Sequence, residues 1–172
     1  MKQLVTVILL FMLTACATKI NHPSAPQEQI NNAKSFNVHP EKVRVHFFMG
    51  KYNGDGFQLN EAMEIYVNEI KVVSLGNKNE YAFIDLSPGN YSFTCKAIST
   101  GSGMANSIPK EMELKSGQLI FLAGTFFDNT SKVASFFGAV GALVGKKYVY
   151  TFVEDTSFKQ NISNYQLISL DK

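Results

Sequence analysis

The side chains able to do chemistry are few. The histidines are His22, His39 and His46, and the cysteines are Cys16 and Cys95. No histidine pair has ligand spacing, and no second thiol is free to complete a zinc set, so no metal and no cofactor are expected. His46 falls on the polar parity of Lys42–Phe48 and is expected to face solvent. No serine occupies a Gly-x-Ser-x-Gly elbow, and Gly101-Ser102-Gly103 reads as a loop. Asn53-Gly54-Asp55-Gly56 invites a calcium reading. With Gly56 at the sixth place of such a loop, the first and twelfth would be Lys51 and Ala62, which lack the required oxygen ligands. An Asn/Asp/Gly turn is the expectation there. Asp85, Glu111, Glu113, Glu154 and Asp155 lie on separate segments, so an enzyme would need folding to gather them. No catalytic residue is assigned, and the chain is read as a non-enzyme.

Cys16 carries the strongest chemical signal. Lys2 precedes an apolar run from Leu4 to Leu13, followed by Thr14-Ala15-Cys16. The run fits the roughly 7–15 residues of a signal-peptide core and is shorter than the roughly 18 that would span a bilayer. Leu13-Thr14-Ala15-Cys16 resembles a lipobox, in which the thiol takes a diacylglyceryl group as a thioether and the cysteine becomes the first residue. Small side chains at Thr14 and Ala15 admit the peptidase. Residues 1–15 are thus expected to be a lipoprotein signal peptide, with palmitate-type acylation at Cys16 as the membrane anchor. Several acyl chains hold a protein stably where one does not. Ala17, in place of aspartate, implies the outer membrane by the sorting pattern of enterobacterial lipoproteins. The domain would then face the periplasm or the cell surface.

Residues 133–145 form a second feature, an uncharged run bracketed by Lys132, Lys146 and Lys147. Drawn as a helix, Val133, Phe136, Phe137, Val140 and Val144 share a bulky face, and Gly141 and Gly145 stand at small-xxx-small spacing. Its 13 residues would reach only about 20 Å, short of a hydrocarbon core of about 30 Å. Three readings stay open: an excursion packed on the domain, a contact with lipid or an envelope protein through Phe136, Phe137, Val140, Val144, Gly141 and Gly145, or an irregular glycine-rich loop.

Around these residues the elements can be sketched. Ala17 to Glu41 is rich in Asn, Gln, Pro and Ser without helical or strand periodicity, so residues 16–41 read as the acylated cysteine and a flexible tether. About 25 residues of coil would span about 25–30 Å on average. The domain is expected over residues 42–172. Lys42–Phe47 alternates like a half-buried strand. Met63–Val67 and Ile70–Leu75 flank Asn68-Glu69 as a hairpin. Tyr81–Leu86 and Tyr91–Ile98 flank Ser87-Pro88-Gly89-Asn90. Cys95 shares parity with Tyr91, Phe93 and Ala97, which predicts a buried, inert thiol. Lys110–Leu114 and Gln118–Phe127 are expected to pair around Ser116-Gly117, and Lys147–Glu154 forms a further strand. Periodicity leaves Asn161–Leu170 open between a short C-terminal helix and a strand.

About seven to eight short strands with frequent turns predict an all-β, antiparallel sandwich. Lys and Arg total 16 against 14 Asp and Glu, a net charge of +2, and Arg44 is the one arginine. That balance excludes a nucleic-acid binder's basic face. Hydrophobic residues make up 45% of the chain, enough for a real core.

Ile65-Tyr66-Val67-Asn68, Tyr81-Ala82-Phe83-Ile84-Asp85-Leu86-Ser87-Pro88-Gly89-Asn90-Tyr91 and Glu113-Leu114-Lys115-Ser116-Gly117-Gln118 resemble the DUF2846 group of bacterial lipoproteins over Lys42–Asp155. The strand, Pro-Gly turn, strand pattern is also similar to PEGA-like and carboxypeptidase-regulatory-like sandwiches. Where members carry Asp-Gly in the first hairpin, this chain has Asn68-Glu69. The resemblance implies a small envelope β-sandwich and transfers no catalytic residue. The expected role is a membrane-anchored, non-enzymatic binding or scaffolding module of the cell envelope. The alternative is a domain binding a small apolar ligand or lipid in a cavity lined by Phe and Tyr. Oligomeric state and partner identity are not encoded in any motif.

Overall fold

The computed structural model describes residues 22–50, 62–98, 106–128 and 148–171. The expectations placed on residues 1–21, on Asn53–Gly56, on Gly101–Gly103 and on 133–145 lie outside the described residues. Ten strands are described: β1 (Val43–Met49), β2 (Ala62–Val67), β3 (Ile70–Leu75), β4 (Glu80–Leu86), β5 (Gly89–Ile98), β6 (Asn106–Ser107), β7 (Lys110–Leu114), β8 (Leu119–Asp128), β9 (Tyr148–Glu154) and β10 (Gln166–Leu167). They form a six-stranded sheet, β10-β4-β1-β8-β9-β6, and a four-stranded sheet, β3-β2-β5-β7. The all-β sandwich expected from the turn spacing is therefore the fold. Pairing is antiparallel throughout the smaller sheet. The larger one is mixed, with β1/β8, β10/β4 and β6/β9 parallel.

The turns behave partly as expected. Asn68 and Glu69 both take positive φ, 48° and 68°, the tight two-residue reversal that suits strand twist. Lys110–Leu114 and Gln118–Phe127 do not pair, contrary to expectation. β7 pairs with β5 and β8 with β1, so Ser116-Gly117 hands the chain from one sheet to the other. Gly117 (φ 76°) makes that switch possible, and its N–H donates to Lys42 O at 2.8 Å. The Ser87–Gly89 turn switches sheets in the same manner.

Between the sheets lies a core of side chains from both inner faces: Val43, Val45, Phe47, Ile120 and Leu122 against Ile65, Val73, Leu75, Phe93 and Cys95. A Cβ at Gly124 would collide with the Met63 thioether, so the sheets approach there because glycine occupies that place.

Two expectations are corrected at the outer face of the larger sheet. β1 is not half-buried: Arg44, His46 and Phe48 are as buried as Val43, Val45 and Phe47. Likewise, residues 22–41 are not a free tether. Ser24 bridges to Ile168, a helix α1 spans Gln27–Ser35, and Ala25 and Ala33 are buried. A second helix α2 (Phe158–Asn161) and a 3-10 turn (Ile162–Asn164) follow β9, so the ambiguous C-terminal stretch is a helical turn leading into a two-residue strand. These segments cover the outer face and enclose a second core that includes Phe48, Tyr81, Phe121, Phe158 and Leu167. Composition hides α1 because QEQINNAKS is polar on nearly every side and contributes only Ala33 as a fully buried contact.

Candidate functional site

The polar groups of unusual burial gather on this covered face. Register explains it: Arg44 stands opposite Asp85, His46 opposite Phe83 and Phe48 opposite Tyr81 across β1 and β4. On the other side of β1, His46 is level with Phe121 of β8. Alternation then turns all of these outward from the main core, toward α1 and α2.

His46 sits in an aromatic box. Its ring stacks on Phe121 at 5.2 Å between centroids and lies 5.6 Å from Phe83, 5.8 Å from Phe36 and 6.1 Å from Tyr81 and Phe158. Neither ring nitrogen has a hydrogen-bond partner, and the Tyr81 hydroxyl is equally unpartnered. Burial, aided by the Arg44 charge and partly opposed by Asp85, holds the imidazole down at about 3. Burial also pushes the Tyr81 phenol up to about 12. At neutral pH the pair is uncharged and sealed by rings. It fills space among the surrounding rings.

Arg44 is a clamp. Nε and Nη2 donate to Asp85 Oδ1 and Oδ2, each at 2.7 Å, the bidentate geometry that carboxylates favour. Nη1 donates to both the main-chain O and the Oδ1 of Asn32 at 3.0 Å, which ties α1 to the sheet. The guanidinium also lies 4.5 Å above the Phe83 ring.

Glu80 is a buried carboxylate at the first residue of β4. It accepts from the Gly76 N–H, from Asn77 Nδ2 at 2.8 Å and from His22 Nδ1–H at 3.1 Å. Gln166 Nε2 donates to His22 O at 3.2 Å, and Ala25 N–H to Leu167 O at 3.0 Å. The chain entering the fold is thereby fixed at the Glu80 end of the larger sheet.

A hollow of about 680 Å³ opens beside α2, with Phe48, Phe158 and Tyr165 on its apolar side and Asn79, Glu154, Asp155, Ser157, Asn161 and Asn164 on its polar side. Glu154 pairs with Lys110 at 3.3 Å, and Asp155 Oδ1 accepts the Ser157 N–H at 2.9 Å. A second hollow of about 430 Å³ lies between Phe83, Asp85 and residues 168–171.

Of the dispersed carboxylates, Glu154 and Asp155 share the hollow beside α2. Asp85 serves Arg44, and Glu111 accepts from the Ser92 hydroxyl at 2.7 Å. Among the described residues, no three His, Cys, Asp or Glu side chains could hold a metal. Cys95 is buried, its thiol pushed up to about 12, as the strand parity predicted for an inert group. Cys16 and the candidate interaction residues Phe136, Phe137, Val140, Gly141, Val144 and Gly145 lie outside the described residues. Sequence reasoning missed Arg44, Glu80 and His22 as clamps. The available signal was Arg44, the one arginine of the chain, placed within a strand.

Among the described residues no helix is long and apolar enough to cross a membrane. Compared with known proteins, the chain matches no protein-family model and no curated protein.

Proposed function

We propose that the protein is a lipid-anchored, DUF2846-like β-sandwich of the bacterial cell envelope, attached to the outer membrane through acylated Cys16 and acting as a non-enzymatic binding or scaffolding module. The observation that carries this reading is the register of Lys2, the apolar run Leu4–Leu13 and Leu13-Thr14-Ala15-Cys16, set ahead of a β-sandwich domain. The stretch 133–145 supplies a candidate surface for an envelope protein or lipid. Replacing Cys16 by Ala should abolish acylation and move the protein from the detergent phase to the aqueous phase on phase partitioning. A variant that still partitions with detergent like the parent refutes the anchor.

A ligand role has one observation in its favour, the hollow of about 680 Å³, within the size range of small-molecule sites. Its two carboxylates and three amides suit a polar, cation-bearing ligand better than the apolar one expected from the aromatic content. The space between the sheets is filled by core side chains.

A further inference from the structure

We infer that the end of the sandwich carrying His22, Glu80 and the Gly76–Asn79 loop is the face that rests against the bilayer headgroups. The inference rests on acylation of Cys16 as proposed above, and it deepens that reading by naming the surface the membrane meets. A tether of the length first expected, ending near Glu41, would leave the domain free to tumble. The structure instead pins the chain at His22, through Glu80 Oε2 and Gln166 Nε2, and again at Ala25 through Leu167 O. Glu80 is itself held by Gly76 and Asn77 of the same loop, so the entry point and the loop form one unit.

Chain length then sets the geometry. His22 is six residue steps from Cys16. Six steps reach at most about 22 Å. Strand β4 runs from Glu80 at this end to Leu86 at the other, seven residues or about 20 Å. At the far end lie Lys42, Ser87 and the Ser116-Gly117 turn, joined by Gly117 N–H to Lys42 O and Lys42 Nζ to Ser87 Oγ. Short of near-full extension, six steps keep the lipid closer to His22 than the far end lies. Only a fully extended linker, laid along the sheet, would bring it to the far end.

The test uses the acylated, mature full chain in vesicles of phosphatidylethanolamine and phosphatidylglycerol containing a headgroup-nitroxide lipid. Bimane is attached at Lys78→Cys or at Ser116→Cys, both exposed sites, while buried Cys95 stays unlabelled. Quenching at position 78 should exceed that at position 116 about twofold or more, given the roughly 20 Å between the two ends. Equal quenching at the two sites, or stronger quenching at 116, on protein whose mass shows the acyl chains overturns the orientation and leaves the anchor standing. A mass without acyl chains overturns both.

Discussion

His46 shows how one side chain can record a cost that the rest of the fold offsets. Its two ring nitrogens are buried without partners, and an unsatisfied buried polar group costs about 1–3 kcal/mol. Phenylalanine would fill the same aromatic box without that cost. His46→Phe should therefore raise the melting temperature at pH 7. The pH dependence is sharper still. The folded protein holds His46 at about 3 against an ordinary 6.5, so the unfolded chain binds the proton first as pH falls. The stability from keeping the imidazole neutral is complete above 6.5 and is lost between 6.5 and about 3, at about 1.4 kcal/mol per pH unit. Chemical denaturation at pH 7 and pH 5 checks this. The advantage of His46→Phe should widen by about 2 kcal/mol at the lower pH. An unchanged difference would mean that His46 finds a partner or is hydrated.

At the scale of the element, α1 is the piece whose existence depends most on others. Its nine residues are few for a helix to persist alone in water, and it has no side-chain N-cap. What holds it is Ala33 in the second core, Phe36 turned by a left-handed backbone (φ 54°) onto His46 and Phe121, and the Arg44 bonds to Asn32. Arg44→Met keeps the bulk and removes the fork. Asp85, partly exposed, can rehydrate, so the loss should be about 2 kcal/mol. The loss should be local as well. Hydrogen exchange should accelerate over Gln27–Ser35 and remain slow in β5, whose amides pair with β2 and β7. Unchanged exchange in α1 would show that Arg44 is not its clamp.

For the whole molecule, the architecture is three layers: the four-stranded sheet, the six-stranded sheet and a cover of α1, α2 and the segments leading to and from them. The cover belongs to the domain, so a boundary drawn at residue 42 cuts through it. A chain of residues 42–172 would lose Phe36 from against His46 and Phe121 and Ala33 from the second core, uncovering apolar surface of the kind that drives association. Compared with residues 22–172, it should melt about 6–12 °C lower, corresponding to about 2–3 kcal/mol, and should bind a hydrophobic dye. Equal melting temperatures for the two chains would return residues 22–41 to the role of a tether.

Sequence alone was enough for the sandwich class, the Asn68-Glu69 hairpin and the buried Cys95, because each depends on local rules: parity along a strand, turn chemistry, apolar spacing. The lipobox-like register of Leu13-Thr14-Ala15-Cys16, on which the proposed anchor rests, is likewise a local pattern. Beyond that hairpin, which strands pair was decided only by tertiary structure. Ser116-Gly117 looks the same whether it closes a hairpin or changes sheets, and β1 finds parallel β8 far along the chain. The covered outer face was likewise invisible. Arg44 and His46 read as solvent-facing because polarity along a strand reports side-chain type, whereas burial depends on what distant segments lay over it. Here a polar helix and a C-terminal turn do so, held by Arg44–Asp85, Arg44–Asn32 and His22–Glu80, contacts that no local pattern encodes.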